Sequence, residues 1–330
     1  MASGVMVFGE IIEGKLAAVT TELLGCGRKL AGDLGQELSV VLAGSGVNTY
    51  AQDAVKYGAD KVYIVDDPIL ANYQTESYLA VMEKLVKQVN PQVILLSQND
   101  IGRDLAPRLA FRLGTAATMD CIGVAIDPAT KKLLPTKPVY GGNARAVYTY
   151  ETDPQVATVR AKAVSALEPD SSRQGEIISV PAGLDPSAFK AKTVQKVKEE
   201  VKGVKLEDAP VIVSGGRGIG GPDGFKELAE IASMLKGAVG ASRPACDSAW
   251  MPDTSQVGLT GKIVSPDLYI AVAISGASQH MAGCSGAKVI VAINKDPEAN
   301  IFKEARYGVV GDWKKVLPAF KAKLKELMAQ

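Results

Sequence analysis

Apolar residues in the first half of the chain fall in short, nearly uninterrupted runs at Val5–Phe8, Leu38–Leu42, Lys61–Val65 and Gln92–Leu96. Between them lie stretches with a different period. Tyr78, Val81, Met82, Leu85 and Val86 recur at helical spacing until Asn90-Pro91 ends the pattern, and a second helical stretch runs from Arg103 to Leu113. Runs that do not alternate apolar with polar, separated by helical stripes, predict a mainly parallel sheet covered on both faces. Beyond Ala116 the helical stretches stop. Ile122–Ile126, Ala144–Tyr150 and Val156–Arg160 are rich in β-formers and read as edge strands or a β excursion.

From Ala166 to Asp208 turn residues and charges take over, with Glu168-Pro169-Asp170-Ser171-Ser172, Pro181-Ala182-Gly183 and Asp185-Pro186 ahead of a mixed-charge run from Lys190 to Lys205. This predicts a surface connection, within which Glu176–Val180 and Thr193–Val197 could still form strands. The domain boundary is placed near residue 206, giving domains 1–205 and 206–330. After it the α/β grammar restarts. Val211-Ile212-Val213, Leu268–Ile274 and Val289–Ile293 are buried-strand runs, and Phe225, Leu228, Ala232 and Leu235 form a helical stripe with Gly237 placed as its C-cap. Asp312 is the expected N-cap of a last helix whose stripe is Val316, Phe320, Leu324 and Leu327. The fold class is therefore α/β, two domains, each a mainly parallel sheet flanked by helices.

Charge removes some functions. Lys+Arg is 37 against Asp+Glu at 36, a net charge of +1, so no bulk attraction to nucleic acid or anionic membrane is expected. The start MASGVMVFGE lacks a basic segment and an apolar segment of signal-peptide type, and the apolar runs are too short to span a bilayer. A cytoplasmic or mitochondrial-matrix-like protein, not an integral membrane protein, is expected. Cys26, Cys121, Cys246 and Cys284 are scattered without a CxxC pair and read as reduced packing thiols. With His280 as the one histidine, a zinc site is not expected.

The chemistry gathers in the second half, where glycine- or hydroxyl-rich turns follow or flank apolar runs: VIVSGGRGIGGPDG, VGASRPACDSAW, QVGLTGK, LYIAVAISGASQHMAG and VIVAINKDPEANIF. Each has an ordinary explanation. Gly216, Gly218 and Gly221 satisfy GxGxxG, but no acidic residue follows a second strand at the distance of a plain NAD fingerprint. Arg243 alone could be a surface ion-pair partner, Thr260 an ST-turn, Asn294 a turn former and His280 a structural histidine. Together they bring many backbone N–H groups and small polar side chains to one edge of a sheet, as a large phosphate-bearing cofactor needs.

In this order, SGGRG, GASR, VGxTGK, LYIAxxISGAxQHxAG and AINKDPEAxIF resemble the FAD domain of the electron-transfer flavoprotein alpha subunit. The likeness is dense over Val211 to Val310 and extends through QNDIGRDLAPRLAFRL and YGGNARA. It implies FAD as cofactor, with Arg217 at the phosphate or adenosine side, and Ser242 and Arg243 facing the flavin. Val257, Gly258, Leu259 and Thr260 would line the ring, with Thr260 near N5. Ser275, Gly276, Ala277, Ser278, Gln279 and His280 would wrap the ribityl and pyrophosphate, with His280 aimed at the pyrimidine carbonyl. Asn294 and Asp312 would hold the adenosine end. The chain departs from the family at Leu259, where a Gln or similar polar residue is usual, so a side-chain hydrogen bond to the cofactor that the family could make there is not carried over to this chain.

The resemblance also implies a heterodimer with a beta subunit carrying AMP or a second FAD, a flavin dehydrogenase as donor (acyl-CoA dehydrogenases among them) and a quinone oxidoreductase as acceptor. The chain would be an electron carrier, not an enzyme by itself. The alternative within the family is an NADH-dependent electron-bifurcating complex. Outside it stand a colourless NAD-dependent dehydrogenase built on the GxGxxG turn and a nucleotide-binding structural module. The first half lacks an intact phosphate loop and reads as scaffold and beta-subunit interface. The FAD domain is expected to swivel on the 166–208 connection. Arg243 and His280, if protonated or donating, would favour the reduced, negative flavin, and one partly buried cation could shift its potential by on the order of 100 mV.

Overall fold

In a computed structural model, which describes residues 2–142, 144–191, 193–195 and 204–328, both halves build parallel sheets flanked by helices. The chain divides into two units, Met1–Val139 with Arg145–Val197, and Tyr140–Ala144 with Lys198–Gln330.

The first unit holds strands β1 (Val5–Gly9), β2 (Leu38–Gly44), β3 (Lys61–Asp66), β4 (Val93–Ser97), β5 (Ala117–Cys121), β6 (Gln155–Val159) and β7 (Glu176–Ser179). They form one sheet in the order β7-β3-β2-β1-β4-β6-β5, with parallel neighbours throughout. Alternate residues of one strand enter separate cores. Val5 and Val7 pack with helix α1 (Ala18–Leu34) on one face. Met6 and Phe8 pack on the other with α2 (Thr75–Val89) and α3 (Asp100–Arg112). Burial on both faces is why these strands are continuously apolar.

Three expectations change. Helix α1 has no counterpart in the sequence reading, because its glycines resemble breakers. A Cβ at Gly25 would sit 2.5 Å from the Ser165 carbonyl oxygen, and one at Gly27 would sit 2.7 Å from Leu38 Cδ1, so these glycines serve close packing. The segment read as Val156–Arg160 is no edge or excursion; β6 is an interior strand between β4 and β5. The excursion is instead a three-stranded sheet of Gly123–Ile126, Leu133–Val139 and Ala144–Val147. Of the mixed-charge run, residues 192 and 196–203 lie outside the described residues, as does the end of the possible strand Thr193–Val197.

The second unit orders its strands β9-β8-β10-β11-β12, where β8 is Val211–Gly215, β9 Ala238–Ala241, β10 Leu268–Val272, β11 Val289–Asn294 and β12 Tyr307–Val310. All pairs are parallel. Helix α4 (Pro222–Met234) and the last helix, α7 (Trp313–Met328), cover one face through Phe225, Leu228 and Leu317. The stripe expected on α7 is therefore displaced: Leu317 is its buried centre, Val316 and Leu324 flank it, and Phe320 and Leu327 are exposed. At the end of α4 the left-handed residue is Lys236, at φ 53°, and not Gly237. Gly237 is needed one position later, where a Cβ would overlap the Val211 carbonyl oxygen.

From β8 the chain passes to β9 on one side and then returns to β10 on the other. The carboxyl ends of β8 and β10 therefore bound the crevice where open α/β sheets bind ligands.

Candidate functional site

The crevice is built on two close backbone approaches, at Gly216 and Gly276. Gly216 follows β8 and donates to the Val272 carbonyl at 2.9 Å. A Cβ there would overlap the Ala273 carbonyl oxygen. Ala273 itself is left-handed, at φ 53°, and Gly276 at φ 82° leaves no room for a Cβ beside the Ile301 nitrogen. The two turns therefore nest against each other. Arg217 is exposed on the first of them, and its side chain makes no hydrogen bond or ion pair among the described residues.

After β9, Ser242 is buried and its N–H donates to the Gly215 carbonyl at 2.9 Å. Arg243 opens the short helix α5 (Arg243–Asp247), exposed, with Nε 3.5 Å from Asp247 Oδ2. The segment around residues 256–262 is strapped across this edge. Val257 N–H donates to the Ala241 carbonyl at 2.9 Å, and Leu259 N–H donates to the Gln279 carbonyl at 2.7 Å. Gln256 Nε2 donates to Thr260 Oγ1 at 3.0 Å, which orients the exposed threonine. Gly258 lies so close to helix α6 (Ser278–Cys284) that a Cβ on Gly283 would overlap the Gly258 backbone nitrogen. Leu259 projects outward, 53% exposed, with no polar atom to offer a ligand.

After β10, Ser275, Ala277, Ser278 and Gln279 are exposed, whereas Gly276 and His280 are buried. Ala277 caps α6 without a side-chain acceptor. His280 Nε2 lies 3.0 Å from the Tyr269 hydroxyl, and Nδ1 is buried with no hydrogen-bond partner. Burial pulls the imidazole down to about 4, opposed by the backbone of Val257, which bears on the ring as an acceptor. At neutral pH His280 is uncharged, so it acts as a hydrogen-bonding group and not as a cation.

Asn294 ends β11. Its Nδ2 donates to the Ile274 carbonyl at 2.9 Å and its Oδ1 accepts from Asp296 N–H at 3.0 Å, so it ties the β10 and β11 turns together. Asp312 Oδ1 accepts from Lys314 N–H at 3.0 Å, the expected cap of α7. Asn294 and Asp312 line one cleft of about 230 Å³ with Gly218, Gly220, Ala273 and Lys295.

The structure thus collects the predicted residues along one edge, in strand order: Ser242 and Arg243 after β9, Arg217 after β8, Ser275 to His280 after β10, Asn294 on β11 and Asp312 after β12. Four inter-strand steps of about 4.8 Å make this edge roughly 19 Å long, the scale of an elongated dinucleotide. Sequence reasoning missed Lys295, though it directly follows Asn294, and Tyr269, which no spacing links to His280. The thiols offer no nucleophile: burial pushes Cys246 up to about 11 and Cys284 up to about 12. Among the described residues no cluster of His, Cys, Asp and Glu is placed to hold a metal, and no helix is long and apolar enough to cross a membrane.

Comparison with known proteins gives two consecutive family matches. Residues 5–207 match the electron transfer flavoprotein domain, and residues 205–285 match the electron transfer flavoprotein FAD-binding domain. The alpha subunit of Thermoanaerobacterium thermosaccharolyticum is 47% identical, over 98% of this chain and 98% of its own length. That of Bacillus subtilis is 44% identical, over 99% of each. The chain belongs to the electron transfer flavoprotein alpha-subunit family. Within it, Protein FixB of Clostridium saccharobutylicum is 40% identical, over 99% of this chain and 97% of the relative. The FAD-binding model covers the turns after β8, β9 and β10 and all of α6; Asn294 and Asp312 lie beyond it.

Proposed function

We propose that this chain is the FAD-carrying alpha subunit of a heterodimeric electron-transfer flavoprotein, passing electrons from flavin dehydrogenases, such as acyl-CoA dehydrogenases, to a quinone oxidoreductase. The observation that carries the reading is the convergence of five strands' turns on one edge, with a buried ring nitrogen of His280 unanswered by the protein itself. A buried polar atom without a partner costs on the order of 1–3 kcal/mol, which a ligand acceptor would offset.

The residues fit FAD. Bound there, FAD supplies reversible one- and two-electron chemistry. Asn294, Asp312 and Arg217 would hold the adenosine and phosphate end. Ser275 to Gln279 would hold the pyrophosphate and ribityl portion. Ser242, Arg243, Val257 to Thr260 and His280 would surround the ring, where Arg243 favours added negative charge and His280 offers a neutral hydrogen bond. Residues 206–330 form the FAD domain in this reading, and residues 1–205 the scaffold and the face for a beta subunit carrying AMP or a second FAD.

Flavin and nucleotide content of the chain purified with its beta subunit tests the reading. One FAD and one AMP per heterodimer are expected. Two FADs with bleaching by NADH would replace the carrier with an electron-bifurcating complex, and absence of flavin would overturn both.

A further inference from the structure

Beneath the ring-facing turns lies a small polar cluster in an otherwise apolar core. Tyr269, on β10, is fully buried, and its hydroxyl is 3.0 Å from His280 Nε2. Cys284 Sγ donates instead to the His280 carbonyl at 3.6 Å. Ser214 Oγ lies close enough to bear on the phenol's ionisation but makes no hydrogen bond. Burial raises the Tyr269 pKa well above its ordinary value, so the phenol keeps its proton.

Two arrangements are open to the pair. If Nε2 carries the proton, it donates to the Tyr269 oxygen. The phenolic O–H must then turn toward Ser214 Oγ, with which it completes no hydrogen bond, and the Nδ1 lone pair faces no donor. If the phenol donates to Nε2, the phenol is satisfied and Nδ1 carries the hydrogen. With Nε2 turned to the phenol at 3.0 Å, the backbone acceptor at Val257, which holds the imidazole pKa up against burial, also suits a ring N–H at Nδ1. The first leaves two buried groups unmatched and the second only one.

We infer that Tyr269 is a positioning residue: its hydroxyl donates to Nε2 and holds His280 as the neutral Nδ1–H tautomer, so that a ring N–H is presented on the side of the Val257–Thr260 turn. This rests on the FAD reading for its consequence, though not for the tautomer. A second-layer partner that fixes which imidazole nitrogen bears the proton is the usual way a protein sets the polarity of a histidine toward its ligand. The N–H would stabilise negative charge accumulating on a pyrimidine carbonyl, without adding the fixed charge of an imidazolium.

His280 is the chain's one histidine, so nitrogen-15 histidine labelling of the full chain, combined with unlabelled beta subunit and FAD, reports a single imidazole. At neutral pH, Nδ1 is expected to resonate as a protonated nitrogen and Nε2 as an unprotonated one. In Tyr269→Phe both shifts should move toward the average of the two tautomers, and the first reduction potential of the bound flavin should fall. In Tyr269→Phe combined with His280→Asn it should fall no further than in His280→Asn alone. A protonated Nε2 in the unsubstituted protein, or additive falls in the double variant, would overturn the inference. If Tyr269→Phe does not fold, the unsubstituted spectrum decides. If no FAD binds, the functional reading fails, and the tautomer is read on the flavin-free chain.

Discussion

The two units run the same architecture to opposite ends at the carboxyl edge of the sheet. In the first, the strand order reverses between β1 and β4, and the residues there satisfy one another. Glu10 accepts from Ser97 Oγ and from Asn99 Nδ2 at 2.6 Å. Its N–H is answered by Thr20 Oγ1 at 2.8 Å, and Asn99 Oδ1 accepts from Gly102 N–H at 3.1 Å to cap α3. Burial raises the Glu10 pKa, so this carboxyl is held in place by its neighbours against the cost of desolvation. In the second unit the equivalent reversal, between β8 and β10, presents exposed turns, an uncommitted Arg217 side chain and the unmatched His280 Nδ1. A switch point alone does not indicate a ligand. The difference lies in whether the polar groups at the edge are already matched.

The largest expected effect comes from matched glycine substitutions on the two edges. A Cβ at Gly276 would be forced into left-handed backbone against the Ile301 nitrogen, and a Cβ at Gly102 would overlap the Ser97 carbonyl oxygen. Each should destabilise its own unit by on the order of 3 kcal/mol or more. Unit-resolved hydrogen exchange and bound flavin check the pair: Gly276→Ala should lose FAD, and Gly102→Ala should keep it. Loss of FAD from both would erase the distinction.

Next in size is a dependence on pH. Unfolded, His280 protonates near 6.5; folded, only near 4. Below pH 6.5 the unfolded chain therefore binds a proton that the native chain refuses. Stability of the flavin-free second unit is full above that pH and falls by about 3 kcal/mol as the pH approaches 4. Urea unfolding of the unsubstituted chain and of His280→Gln at pH 7 and pH 4.5 isolates the term, because the carboxylates common to both cancel.

The smallest effect is electrostatic. The Arg243 side chain is 63% exposed and pairs with Asp247, so solvent screens it. Arg243→Ala should lower the first flavin potential by about 10–40 mV in the alpha chain without its partner, below the estimate for a partly buried cation. A spectroelectrochemical titration showing no change would remove Arg243 from the ring environment.

The legible parts of the molecule were those whose cause is local. Buried parallel strands announce themselves as apolar runs, and β1 to β4 lie within two residues of their predicted bounds. The turns of the candidate site were legible as turns because each directly follows its strand. Helix α1 was hidden because Gly25 and Gly27 answer to contacts with residues far along the chain. Strand β6 was legible as a strand, but its interior place was not, because its neighbours β4 and β5 are chosen by the sheet and not by the sequence around it. Edge strand β12 buries none of its residues, so it carries no periodic signal. The Tyr269–His280 contact joins a strand to the following helix through the core, and only the packing of one on the other makes it.

Hydrogen exchange of the full chain, with and without FAD and resolved by residue, tests the contrast between the two edges most directly. Added protection is expected at 216–221, 242–243, 257–260 and 275–280, with none at Glu10, Ser97 or Asn99. Protection concentrated at Glu10 and Ser97, or spread evenly over both sheets, would contradict it.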